Sequence, residues 1–209
     1  MSMTSKDLRK EIESMIEFSE NTGILENDSK IIIFLLDNCE IDIPDENRFF
    51  VNVNSAESAY AARNKRIHPF ASLFSEAGLS EGIKSLAFTG GSDHGHTSVD
   101  WESVIKLGIY GLRERIAKYS ASCKKTAQNT VFYECLLKVY DASLRFIRRA
   151  GEYAISKQRT EMGSSLIRLS CQSPSNLFEA MQTSLIYYTL QQFFDGTYLR
   201  TLGRVDSLL

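Results

Sequence analysis

Residues 85–119 read SLAFTGGSDHGHTSVDWESVIKLGIYGLRERIAKY, a Gly/Ser/Asp/His loop running into an amphipathic helix. The loop holds two of the chain's three histidines, His94 and His96, with Gly95 between them. Gly90 and Gly91 permit backbone angles that other residues resist. Ser98 and Asp100 are each suited to cap the following helix, and Asp100 also puts negative charge at its positive end. From Trp101 the apolar positions Val104, Ile105, Ile109, Leu112 and Ile116 recur at helical spacing, while charge gathers at Arg113, Glu114, Arg115 and Lys118. In an exposed helix Gly108 and Gly111 would each cost about 1 kcal/mol relative to alanine. Two glycines three apart on one face therefore predict another backbone passing close by.

Downstream, Ser120–Asn129 reads as a polar connection. From Thr130 the positions Phe132, Cys135, Leu136, Val139, Ser143, Phe146, Ala150 and Ala154 keep helical phase, and Gln158-Arg159-Thr160 is the expected break. A shorter helix over Ser164–Gln172 precedes Pro174. Asn176 and Glu179 have capping-box spacing for a last helix through Met181, Leu185, Tyr188 and Leu190. Upstream, residues 4–20 form an acidic amphipathic helix, stopped at Asn21-Thr22-Gly23. Asn27-Asp28-Ser29 is suited to cap a second helix through Ile31–Leu36. Arg48–Val53 is the best strand candidate in the chain. Ser55–Arg66 is helix-prone.

Composition places 209 residues in one ordinary globular unit: 43% are hydrophobic, and 24 basic against 26 acidic side chains leave a formal charge of −2. No basic stripe supports nucleic-acid binding. Ile31–Leu36, the longest apolar run, is too short to cross a bilayer, and the N-terminus shows no apolar signal region. A cytoplasmic protein with no membrane partner is expected. Cys39, Cys123, Cys135 and Cys171 include no C-x-x-C pair and read as reduced thiols. The H-x-H of His94 and His96 lacks a third ligand for zinc, so no metal is expected. Gly90-Gly91 is not followed by G-K-[ST], so a phosphate loop has little support.

His96-Thr97-Ser98-Val99-Asp100, followed by V-I-K-L-G-I-Y-G-L over 104–112, resembles the H-x-x-P-D and V-L-x-x-G-x-x-G-I signature of glycyl radical enzymes, with Val99 in place of proline. That superfamily includes pyruvate formate-lyase, glycerol dehydratase and choline lyase. Pro174–Gln182 is similar to its P-x-T-F-x-E-A-L-Q. Leu202–Leu209 is similar to its P-G-R-x-D-Q-x-L, with Leu202 for proline and Ser207 for glutamine. Val131-Phe132-Tyr133 and Arg148–Ala154 resemble its F-Y and R-x-A-x-x-A helix. The four segments occur in family order over residues 45–209.

The resemblance implies the N-terminal half of a large ten-stranded β/α barrel, here mainly α with few strands: a single unit, with a helical extension over 1–44 and a family-like region over 45–209. It implies that Asp93, His94 and His96 approach substrate; the alternative is loop histidines bonded to backbone or water. Asp100, Gly108, Gly111, Glu179, Gln182, Gly203, Arg204 and Asp206 are the implied structural motif. The complete family cleaves C–C, C–O or C–N bonds with a protein glycyl radical, installed by an activating enzyme that uses S-adenosylmethionine and an iron–sulfur cluster. Its radical-relaying cysteine and radical glycine lie beyond the G-R-x-D segment. No catalytic residue, and no cofactor of its own, is therefore expected in this chain. It is expected to be inactive alone, and to pair as a homodimer or with the missing C-terminal part. The alternatives are a non-catalytic helical binding module, or one chain of a split enzyme.

Overall fold

A computed structural model describes residues 5–17, 24–51 and 99–195. Among the described residues there are six helices and no strand: α1 Ser5–Glu17, α2 Ile24–Asn38, α3 Trp101–Ser122, α4 Ala127–Ser156, α5 Thr160–Leu169 and α6 Leu177–Asp195. The mainly helical class is as expected. The long helix α4 is the spine, against which α2, α3 and α5 pack. Its buried stripe runs through Ala142, Phe146, Ile147, Ala150 and Ala154, the i, i+4 spacing of one face. Leu8 and Ile12 of α1, Leu35 and Leu36 of α2, Leu166 of α5 and Ile186 of α6 complete the same core. A second cluster joins Trp101, Val104, Ile105 and Leu112 of α3 to Ala180 of α6.

Small residues set the closest approach. Gly151 of α4 and Gly163 of α5 face each other: a Cβ on either would stand 2.8 or 2.6 Å from the other's carbonyl oxygen. Between these helices Gln158 takes φ 63°. The Gln158 N–H donates to Ile155 O (2.9 Å) and the Arg159 N–H to Ala154 O (2.8 Å). That pattern is a Schellman motif, with glutamine where glycine is usual. The expected break at Gln158-Arg159-Thr160 is this motif.

Several expected boundaries move. The second helix starts at Ile24, so Asn27-Asp28-Ser29 lie inside it rather than capping it; the Ser29 hydroxyl donates back to Glu26 O. The polar connection shrinks to residues 123–126, because Thr126 caps α4 by accepting from the Asn129 N–H. The helix expected over Ser164–Gln172 begins at Thr160, directly after the Schellman turn. The strand expected over Arg48–Val53 is not formed in its described part, 48–51. There the Phe50 N–H and C=O pair with the side-chain amide of Gln182 rather than with a neighbouring strand. Asn52, Val53, the stop at Asn21-Thr22-Gly23 and the helix expected over Ser55–Arg66 lie outside the described residues.

The segment after α2 is held by arginines. Arg149 donates to Leu36 O (2.7 Å) and Cys39 O (2.8 Å), and Arg159 to Pro44 O, Asp45 O and Asn47 O. Arg145 adds a two-pronged pair to Asp37 at 2.9 and 2.7 Å. Burial pushes the Cys39 thiol up to about 12, against the opposing pull of Arg149. No helix among the described residues is long and apolar enough to cross a membrane.

Candidate functional site

Asp100 opens α3 as its N-cap, accepting from the Ser103 N–H at 3.1 Å. Hydrogen bonding from Ser103 holds the Asp100 carboxyl below its usual range. Trp101 follows, buried, its ring edge-on to Tyr187 of α6 at 5.8 Å between centroids. Two turns on, Gly108 takes φ 65° and ψ 179°, so α3 is kinked there. A side chain at that φ is strained. A Cβ would also lie 2.9 Å from Pro174 Cδ. The carbonyl released next to the kink, Leu107 O, accepts from the Ser173 hydroxyl at 2.8 Å, and that hydroxyl lies 3.1 Å from where a Gly111 Cβ would stand. The backbone predicted to pass the two glycines is the Ser173–Pro174 elbow.

The elbow leads into α6 through a part-buried ion pair between Arg168 and Glu179. Asn176 Oδ1 accepts from the Glu179 N–H at 3.0 Å, which is half of a capping box. The other half is diverted. The Glu179 carboxylate accepts from the Ser175 N–H and hydroxyl, each at 2.9 Å, and from Nε and Nη2 of Arg168 on α5. Arg168 also donates to Gln172 Oε1 and Ser173 O. Glu179 is buried, at 5% exposure. So many donors hold the Glu179 carboxylate in one orientation, which suits positioning. One turn later Gln182, fully buried, clamps Phe50 by accepting from its N–H (2.9 Å) and donating to its C=O (3.0 Å). Phe49 stacks on Phe178 at 4.8 Å beside it.

Gly108, Gly111, Glu179 and Gln182 thus belong to one framework joining α3, α5, α6 and the segment 39–51, while Asp100 caps the start of α3. Asp93, His94, His96, Gly203, Arg204 and Asp206 lie outside the described residues. Sequence reasoning missed Arg168, Ser173 and the Gly151–Gly163 contact. A basic residue one turn before an S-P elbow, and a glycine among small residues in a helical run, were the available signals.

Among the described residues no three His, Cys, Asp or Glu side chains are grouped to hold a metal. Each of Gly108, Gly111, Gly151 and Gly163 is closed in by atoms 2.5–3.0 Å from its missing Cβ, as packing glycines are. Cys39 and Cys135 are buried in helix packing, and the Cys171 thiol lies against carbonyls of the last turn of α5.

The family model described as pyruvate formate lyase-like matches residues 55–209. The chain belongs to this family. No curated protein sequence matches it. Among solved structures, this pyruvate formate lyase-like chain is similar to three at low identity. The glycerol-bound B12-independent glycerol dehydratase of Clostridium butyricum has TM-score 0.65 at 13% identity, over 100% of this chain and 36% of that one. A Roseburia inulinivorans protein of 1,2-propanediol dehydration has TM-score 0.71 at 16% identity, over 96% and 33%. A glycyl radical enzyme from Archaeoglobus fulgidus has TM-score 0.59 at 14% identity, over 92% and 32%. The chain therefore has the fold of part of a glycyl radical enzyme and spans about a third of the length of these proteins.

Proposed function

We propose that residues 1–209 are the N-terminal helical scaffold of a glycyl radical enzyme, with 1–44 as a helical extension and 45–209 as the family-like region. By themselves these residues turn over no substrate. The observation that carries the reading is the framework at Gly108, Ser173–Pro174, Glu179 and Gln182, built on residues of the family's own motif segments. Its role is to fix α3, and hence the loop before Asp100, against α6. In the complete enzyme that loop would bring Asp93, His94 and His96 to the substrate, where a histidine and a carboxylate can hydrogen-bond a hydroxyl or carbonyl. Radical cleavage of a C–C, C–O or C–N bond would then need a cysteine and a glycyl radical from the remaining part of the fold, with an activating enzyme to install the radical.

Leu177 and Met181, one turn apart on α6, are 52% and 41% exposed. They favour an apolar partner surface, either the rest of the same enzyme or a separately encoded chain that completes it. Reading the coding sequence downstream of Leu209 tests the proposal. An open frame with a cysteine loop and a C-terminal glycyl motif is the expected result. A frame lacking both, with no companion gene supplying them, would favour a non-catalytic binding module.

A further inference from the structure

We draw no further inference here: the strongest candidate, the cavity of about 380 Å³ between α2, α3, α4 and α6, carries nothing, because aliphatic side chains share its wall with Asp28, Tyr140 and Tyr187 and nothing in the structure shows what fills it.

Discussion

Replacing Gln182 by leucine removes both hydrogen bonds to Phe50 while keeping side-chain bulk. Gln182 and Phe50 are both fully buried, so the Phe50 N–H and C=O cannot turn to water instead. An unsatisfied buried group costs about 1–3 kcal/mol, so two groups, partly offset by the added apolar surface, predict a loss of about 3 kcal/mol. For a chain of this length that corresponds to a fall in Tm of about 6–12 °C. Urea titration followed by far-UV circular dichroism measures the loss. Gln182→Glu sharpens the test. In that variant a protonated carboxyl can still accept from the Phe50 N–H and donate to its C=O, whereas the carboxylate would be a buried charge facing a carbonyl. The folded pKa of the introduced carboxyl is therefore raised, so its stability is present below the ordinary glutamate value of about 4.3 and lost as pH rises through the raised value. Gln182→Glu should approach the wild type near about pH 4 and fall away above it. A loss below about 1 kcal/mol in the leucine variant, or a Gln182→Glu variant with the wild type's pH dependence, would refute the clamp.

Gln158→Gly should stabilise the fold by about 1 kcal/mol in the same titration, because φ 63° at the Schellman position strains a side-chain-bearing residue and not glycine. Gly163→Ala should cost about 2 kcal/mol or more in that titration, since its Cβ would stand 2.5 Å from Ile155 Cγ1 and 2.6 Å from Gly151 O. Cys39 and Tyr140 are both pushed up to about 12 by burial, from ordinary values of 9.0 and 10.0. The unfolded chain therefore releases their protons first, and the stability they hold at neutral pH should be lost as pH rises from 9.0 towards 12, visible as an alkaline fall in Tm.

How legible the fold was depended on the range of the interaction. The stripe Phe146, Ala150, Ala154 and the cap at Asp100 are local features of spacing and side-chain type, and the structure has both. Gly108 and Gly111 announced a close neighbour, but its identity, the Ser173–Pro174 elbow, required knowing which distant segment folds back. In its described part, residues 48–51, the expected strand is absent for the same reason. Its β-prone residues say nothing about whether the partner is a strand or, as at Phe50, a glutamine far along the chain. Glu179 was readable as part of a cap, yet Arg168 redirects its carboxylate, and no local rule carries that information. In the framework, the resemblance pointed to the residues but not to the partners that hold them.

The claim that these residues are scaffold without the radical machinery is tested most directly by electron paramagnetic resonance. The purified 209-residue chain, held anaerobically with a glycyl radical activating enzyme and S-adenosylmethionine, should show no glycyl-type doublet and no turnover of glycerol, pyruvate or choline. A doublet arising from this polypeptide by itself would contradict the account.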